Sequence, residues 1–222
     1  MRALFVTGTD TDVGKTYVTA LLCRYLKSLG KDVAYFKAAA SGEAALERSD
    51  AGYVHAVAGL TQDRETLVSY LYAEPLSPHL CGRLTGRFVS PEKVVRDFKA
   101  VSAAHEFTVM EGSGGIVCPI VYEKGQKLLL EDIITALKLD TLLVARAGLG
   151  TINHTVLTVS YLRTRGIGIK GIILNHFEEG NVMHADNLCM IEELTGVPVL
   201  ATVAGNASAL SERPALRELF TA

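Results

Sequence analysis

Residues 4–16 read LFVTGTDTDVGKT, and this stretch decides the fold. Its apolar run predicts a buried strand, a glycine-containing turn follows, and Gly14-Lys15-Thr16 opens a helix pattern. Backbone N–H groups around Gly14 would converge on phosphate oxygens. Lys15 would neutralise the β and γ oxygens, and the Thr16 hydroxyl would bind Mg²⁺. The stretch therefore predicts a phosphate loop, although the common pattern has one residue fewer between its glycines than separates Gly8 from Gly14.

Strand and helix patterns alternate along the rest of the chain. Strands are predicted at Ala3–Thr7, Val33–Lys37, Phe107–Glu111, Thr141–Ala145, Gly171–Asn175 and Val197–Val203. Helices are predicted at Lys15–Leu29, Pro91–Ala104, Asp132–Lys138, Ile152–Arg163 and Val182–Thr195. This alternation predicts a doubly wound, mostly parallel sheet in a three-layer α/β/α fold of the P-loop NTPase kind. We expect residues 1–222 to form a single domain, with residues 41–84 as its least regular region.

Composition narrows the classes of partner. The 222 residues include 22 basic and 24 acidic side chains, so the net charge of −2 favours a small-molecule partner over nucleic acid or a membrane surface. The first apolar run is too short for a signal peptide, which predicts a cytoplasmic protein. The four cysteines lie far apart without a CxxC pair, as is typical of reduced, mostly buried thiols.

Two charged side chains end predicted strands at the same edge of the sheet. Glu111 ends a buried strand and is followed by residues 112–115, which read GSGG; Lys37 ends the second strand. Because ligands lie at the carboxyl ends of parallel strands, Glu111 could reach an Mg²⁺ held by Thr16. Lys37 could face a transferring phosphoryl group. The alternatives are a solvated Glu111 on a tight turn and a solvated charge at Lys37.

Asp50 and Asn175 are further candidates. Asp50 begins a probable helix, where helix capping and metal binding are competing explanations. Asn175 ends a strand, and its amide could pair with an adenine edge through a donor and an acceptor. The following residues 176–178 do not give the Asn-Lys-x-Asp pattern that reads guanine, so ATP is favoured over GTP. The histidines show no metal-ligand spacing.

Taken together, these motifs resemble the dethiobiotin synthetase family over most of the chain. The matching stretches are Val6–Thr16, Lys37 with Ala40–Gly42, Ser49-Asp50, Ala73–His79, Glu111–Gly115 and Gly148–His154. The family has the same spacing between the glycines of its phosphate loop. The resemblance implies ATP as co-substrate and Mg²⁺ as cofactor.

The resemblance also implies a role for each matching residue. Thr16, Asp50 and Glu111 would hold Mg²⁺, whereas Lys15, Lys37 and Thr11 would surround the γ-phosphate as the catalytic residues. The residues expected to bind ATP are Asp12, Val13, Gly14, Lys15, Thr16, Tyr17, Asp50, Glu111, Gly112, Ser113, Gly114, Asn175, His176, Ala204, Gly205 and Asn206. The residues expected to bind the second substrate are Ser41, Gly150, Thr151 and Asn153, the last three across a homodimer interface.

The reaction implied by the resemblance joins 7,8-diaminononanoate with CO₂ or bicarbonate. The resulting carbamate is phosphorylated by ATP, and the second amine then closes the ring, which gives dethiobiotin, ADP and phosphate. A cluster of cations suits this chemistry because the carbamate and the phosphoryl group are both anionic.

Two stretches depart from the family's usual pattern, and rival classes share the fold. Ala38 stands where the family usually has proline, which predicts a looser exit from the second strand. Residues 201–206 read ATVAGN instead of a Gly-x-Ile-Pro turn near the adenine, which leaves relaxed nucleotide choice open.

One rival class is an ATPase switch of the partitioning type, which carries an extra lysine early in the loop. Another is an amide-forming ligase, usually fused to a glutaminase domain. A nucleotide kinase would need more basic lid residues than Arg83 and Arg87.

Overall fold

An eight-stranded sheet forms the centre of the fold in a computed structural model of the chain, which describes residues 3–221. The strands are β1 Ala3–Gly8, β2 Val33–Ser41, β3 Val68–Tyr72, β4 Phe107–Glu111, β5 Pro119–Glu123, β6 Gln126–Leu129, β7 Thr141–Arg146, β8 Ile169–Asn175, β9 Val199–Val203 and β10 Ser211–Glu212. The order across the sheet is β10-β9-β8-β7-β1-β4-β2-β3, while β5 and β6 form a separate antiparallel hairpin. Within the main sheet the pairs are parallel except for β10 with β9. The doubly wound, mostly parallel sheet is therefore confirmed.

Helices connect the parallel strands. They are α1 Lys15–Ser28, α2 Asp50–Ala58, α3 Pro78–Thr85, α4 Pro91–Ala104, α5 Leu130–Leu137, α6 Thr151–Thr164, α7 Val182–Thr195 and α8 Pro214–Thr221. Each predicted helix is present with ends shifted by no more than a turn. The irregular region 41–84 contains α2, β3 and α3, which periodicity had not resolved in detail.

The sheet is covered on both faces, as the three-layer prediction requires. Leu4 and Val6 of β1 pack into one buried cluster with α1, α2 and α8, whereas Phe5 packs into another with α4 and α5. Successive strand residues point to opposite faces, so a continuous apolar run serves both layers. A third cluster joins β7 and β8 to α6 and α7.

The strand register brings charged and polar residues together at the edge of the sheet formed by the C-terminal ends of the parallel strands. Glu111 is aligned with Val6 on one side and with Lys37 on the other, and Arg146 is aligned with Asn175. Because β1 lies between β4 and β7, the phosphate loop leaves the sheet among these strand ends. This is the position at which open parallel sheets bind ligands.

The cysteines are free, as predicted. Cys23, Cys81 and Cys118 are buried, and Cys189 is exposed. Across residues 3–221 the helices are all too short or too polar to cross a membrane.

Candidate functional site

The phosphate loop joins the end of β1 to the start of α1. Gly14 is the residue before α1 and has a left-handed φ of 90°, a conformation that favours glycine. A Cβ at this position would also overlap Nδ2 of Asn175. No side chain of the described residues 3–221 caps α1, so its first N–H groups are free to bind an anion. The loop therefore has the geometry expected of a phosphate site.

Side chains at the ends of the neighbouring strands β7 and β8 hold the phosphate loop in place through hydrogen bonds. Arg146 donates a hydrogen bond of 2.6 Å to the carbonyl of Asp12, and Asn175 donates one of 2.9 Å to the carbonyl of Val13. Arg146 was not among the residues predicted from the sequence. Its position at the end of β7, beside Asn175 at the end of β8, is the feature that could have identified it.

A cluster of charges lies next to the loop. The Lys37 ammonium lies 2.9 Å from Oε1 of Glu111 and also forms an ion pair with Asp50. The Thr16 hydroxyl donates to the same Glu111 oxygen at 2.7 Å. Lys37 is 4% exposed and Glu111 is 1% exposed, so the solvated-charge alternatives for both residues are wrong. Ala38 continues β2, and the expected loosening at this point does not occur.

The two lysines have opposite pKa shifts. Burial alone would lower the pKa of Lys37, but the carboxylates of Glu111 and Asp50 outweigh it, and the net pKa is raised. Burial lowers the pKa of Lys15, whose ammonium donates a 2.8 Å hydrogen bond to the Asp10 carbonyl. Lys37 is thus held as a cation. Lys15 forms no ion pair within residues 3–221, and its ammonium is available to an anion.

The oxygens of Thr16, Asp50 and Glu111 suit a magnesium ion. Mg²⁺ in nucleotide sites takes one or two carboxylates and fills its other positions with water and phosphate. The Lys37 ammonium already contacts both carboxylates, so these oxygens stabilise a cation at this place. Among residues 3–221 no cluster of three or more His, Cys, Asp and Glu side chains could hold a metal. The described residues therefore do not form a metal site built from protein ligands alone.

A cavity of about 1390 Å³ opens in front of the loop and the charge cluster. Single ligand pockets are usually about 300–1,000 Å³, so this cavity has room for a nucleotide and a second substrate. The predicted site residues that line it are Thr11, Asp12, Gly14, Lys15, Thr16, Tyr17, Lys37, Ser41, Asp50, Glu111, Gly112, Ser113 and Gly114. Leu157, Thr158 and Tyr161 of α6 also line it.

Another group of predicted residues gathers at the ends of β8 and β9, beside the cavity. His176, Ala204, Gly205 and Asn206 are exposed, and a Cβ at Gly205 would lie 3.9 Å from Nδ1 of His176. Asn175 is 1% exposed, and its Oδ1 has no hydrogen-bond partner within residues 3–221. One N–H of the Asn175 amide binds the loop, so the hydrogen bonds of residues 3–221 leave its second N–H and its carbonyl oxygen unused.

The last predicted group lies away from the cavity of its own chain. Gly150, Thr151 and Asn153 form the start of α6, and Gly150 has a φ of 87°. No side chain in the described part of the chain caps this helix. Leu149, immediately before it, is 93% exposed.

Comparison with known proteins places the chain in a family. A family model described as an AAA domain matches residues 2–212. The chain is 42% identical over 212 residues to the ATP-dependent dethiobiotin synthetase BioD of Brachyspira hyodysenteriae, with 96% of each chain covered. It is 44% identical over 206 residues to the protein of the same name from Clostridium perfringens, with 91% of this chain and 90% of the relative covered.

The chain belongs to the dethiobiotin synthetase family.

Solved structures of other proteins share the fold of this family member. The MinC:MinD cell division complex of Aquifex aeolicus matches with a TM-score of 0.57 and 16% identity, over 99% of this chain and 85% of that one. Chloroplast FtsY from Physcomitrella patens matches with a TM-score of 0.55 and 16% identity, over 100% of this chain and 65% of that one. At 16% sequence identity, these structures show a shared fold and nothing more. The dethiobiotin synthetase relatives disfavour the two rival classes, the partitioning-type switch and the amide-forming ligase.

Tyr35 is a further site residue that the sequence did not reveal. It is fully buried, and its hydroxyl donates a 3.1 Å hydrogen bond to Oε2 of Glu111. If Glu111 holds Mg²⁺, as the family resemblance implies, Tyr35→Phe should raise the Mg²⁺ concentration at half-maximal turnover about tenfold, because loss of a residue that orients a metal ligand usually changes metal affinity by that much. A Mg²⁺ titration of ATP turnover measures it. Tyr72→Phe removes another tyrosine hydrogen bond, to the Arg87 carbonyl, and should leave the titration unchanged.

Proposed function

We propose that this chain makes dethiobiotin from 7,8-diaminononanoate, CO₂ and ATP, with Mg²⁺ as cofactor. The main support for the proposal is the buried Lys37 ammonium, which lines the same cavity as the phosphate loop. The chain is also 42% identical to a dethiobiotin synthetase. The cavity has room for both organic substrates. We further propose that residues 1–222 act as a single domain.

The chemistry begins at an amino group of the diamine. The amine nitrogen attacks CO₂ and loses a proton, which gives a carbamate. A carbamate oxygen attacks the γ-phosphorus of ATP, the bond to the bridging oxygen breaks, and ADP leaves. The second amine then attacks the carbamoyl carbon of the mixed anhydride, loses a proton, and expels phosphate. The ring keeps one oxygen of CO₂ and phosphate carries the other.

The cations of the site match the charges that must meet in this sequence. Lys15 would bind the β and γ oxygens, and Lys37 would bridge the carbamate and the transferring phosphoryl group. Thr11, on the loop, would donate to the same group. Thr16, Asp50 and Glu111 would hold Mg²⁺. When bound, Mg²⁺ supplies positive charge to the phosphate oxygens.

The remaining nucleotide contacts would come from two places. The N–H groups from Asp12 to Tyr17 would bind the phosphates at the start of α1. The turn after Glu111, residues 112–114, lies on the cavity wall, and Ser113 is fixed there by a 2.8 Å hydrogen bond to the Ala39 carbonyl. Asn175, His176 and residues 204–206 would surround the base, where a free Asn175 oxygen accepts the adenine amino group.

A homodimer would complete the site for the second substrate. Ser41 lies on the cavity wall, whereas Gly150, Thr151 and Asn153 do not. The uncapped start of α6 suits a carboxylate, and Leu149 beside it is exposed enough to pack against another copy. We propose that this segment reaches the cavity of the partner chain and binds the substrate carboxylate there.

Asn153 tests this contact. Asn153→Ala should raise the KM for the diamine about tenfold, because a hydrogen bond to a charged group is lost, while kcat stays near the wild-type value. Steady-state kinetics with varied diamine at saturating ATP measure KM and kcat separately. Ser160→Ala on the same helix is the control. An unchanged KM in Asn153→Ala would exclude a contact through the Asn153 side chain.

The proposed function is tested by phosphate release from ATP, Mg²⁺ and bicarbonate, with and without 7,8-diaminononanoate, and by mass analysis of the product. We expect release only with the diamine and one dethiobiotin for each phosphate. Release that does not depend on the diamine would contradict the proposal and favour an ATPase.

A further inference from the structure

A short turn after β9 forms one side of the place proposed for the base. Residues 204–206 read AGN and are exposed, and Asn206 has a left-handed φ of 63°. The Ala207 N–H donates a 3.2 Å hydrogen bond to the Ala204 carbonyl, which closes the turn. Residues 201–213 contain no proline. Because its side chains are small or polar and exposed, the turn depends on hydrogen bonds more than on buried apolar contacts to keep its position.

The Tyr17 hydroxyl supplies a hydrogen bond between this turn and α1. Tyr17 is half-buried, and its hydroxyl donates to the Ala207 carbonyl. Both residues pack against the buried cluster shared by β1, α1, α2 and α8. They are 190 positions apart in sequence, so this bond ties the helix that follows the phosphate loop to a segment near the C-terminus.

Tyr17 also lines the cavity in which the nucleotide would lie, and it follows Thr16 directly. On the other side of the proposed base position, Asn175 is tied to the phosphate loop by its 2.9 Å hydrogen bond to the Val13 carbonyl. The ends of β8 and β9 are thus both tied by side chains to the unit formed by the loop and α1. Asn175 ends a buried strand, whereas residues 204–206 are exposed, so the turn depends more strongly on its hydrogen bond.

We propose that Tyr17 is the positioning residue that holds the turn at residues 204–207 against the base of the bound nucleotide. The inference rests on the nucleotide site of the proposed function and adds the side chain that fixes the base turn relative to the phosphate loop. The Tyr17 N–H would bind phosphate, whereas its hydroxyl acts on the nucleotide through Ala207. Loss of the hydroxyl should therefore weaken contacts to the base and leave contacts to the phosphates intact.

The test compares a ligand that carries a base with one that does not. Calorimetry measures binding of the β,γ-imido analogue of ATP and of inorganic tripolyphosphate to the full chain with Mg²⁺. Tyr17→Phe removes only the hydroxyl and should raise the Kd of the ATP analogue about fivefold, the change expected for loss of one neutral hydrogen bond. The Kd of tripolyphosphate should keep its wild-type value. Amide hydrogen exchange of Ala207 in the free protein should become faster, because the turn opens more often.

Tyr25→Phe is the matched control, since Tyr25 lies on the same helix and packs against the same cluster but does not line the cavity. It should change neither Kd nor the exchange rate of Ala207. An unchanged Kd of the ATP analogue in Tyr17→Phe would overturn the inference. An equal loss for both ligands would also overturn it, because the effect would then lie on the phosphate loop. Weaker binding of the ATP analogue with unchanged exchange would mean that the hydroxyl contacts the nucleotide itself, which contradicts a positioning role.

These outcomes are separate from the test of the proposed function. If the wild-type chain forms dethiobiotin and Tyr17→Phe binds the ATP analogue normally, the proposed function stands without this inference. If the chain forms no dethiobiotin but shows the expected difference between the two ligands, the role of Tyr17 stands and the proposed reaction is refuted.

Discussion

Lys37→Ala should lower kcat about a thousandfold while the Kd of ATP changes little, because loss of one donor that stabilises transition-state charge typically costs about 10²–10³ in rate. In the free protein the ammonium binds Asp50 and Glu111 and no loop atom, so nucleotide affinity depends on other groups. In the proposed reaction, its interaction with the transferring phosphoryl group would grow in the transition state. Single-turnover kinetics and nucleotide titration measure the two quantities separately.

Lys31→Ala provides the matched control. Lys31 forms a 3.2 Å ion pair with Glu106 at the surface, and its removal should change neither kcat nor Kd. A Lys37→Ala variant with wild-type kcat would exclude Lys37 from catalysis. A variant with unchanged kcat but much weaker ATP binding would reassign Lys37 to ground-state nucleotide binding.

Glu111→Gln should raise the Mg²⁺ concentration needed for half-maximal turnover by about 10–100-fold, the range seen when partners of a metal site are lost. Oε1 of Glu111 now accepts from both Thr16 and Lys37. A glutamine amide carries no charge, and turning its nitrogen towards these donors would lose both hydrogen bonds. A direct Mn²⁺ titration by electron paramagnetic resonance, together with the Mg²⁺ dependence of turnover, measures the change.

Glu123→Gln is the control for that variant. Glu123, at the end of β5, pairs with Arg83 of α3 at 2.9 Å and does not line the cavity. Its replacement should leave the Mg²⁺ titration unchanged. A wild-type titration in Glu111→Gln would exclude Glu111 as a metal ligand and leave it as the buried partner of Lys37.

The central strands were predictable because they are buried on both faces. Continuous apolar runs such as those of β1 and β4 have few alternatives to a parallel strand. The edge strand Val68–Tyr72 was missed because it is mostly half-buried, and its sequence lacks a continuous apolar signal. The β5–β6 hairpin and α8 were missed because short elements at the surface depend on tertiary packing more than on local periodicity.

The residues of the candidate site also fall into two groups, those that the local sequence predicts and those that only the tertiary structure reveals. Lys15 and Glu111 were predictable because Lys15 opens α1 and Glu111 ends β4 at one sheet edge. Lys37 was predictable as the first charge after a buried apolar run, although the strand does not end there as predicted and β2 continues to Ser41. The contacts of Arg146 and Tyr35 depend on register and packing between segments. Arg146 and Asp12 are 134 positions apart in sequence, and no local pattern links them.

The most direct test of carbamate phosphorylation in this cavity is oxygen transfer from labelled CO₂. The chain is supplied with ATP, Mg²⁺, 7,8-diaminononanoate and C¹⁸O₂, and phosphate and dethiobiotin are analysed by mass before the label exchanges with water. If a carbamate oxygen attacks the γ-phosphorus, each phosphate carries one ¹⁸O and each dethiobiotin retains one. Unlabelled phosphate would mean that water attacks ATP, which would contradict a synthetase mechanism at this site.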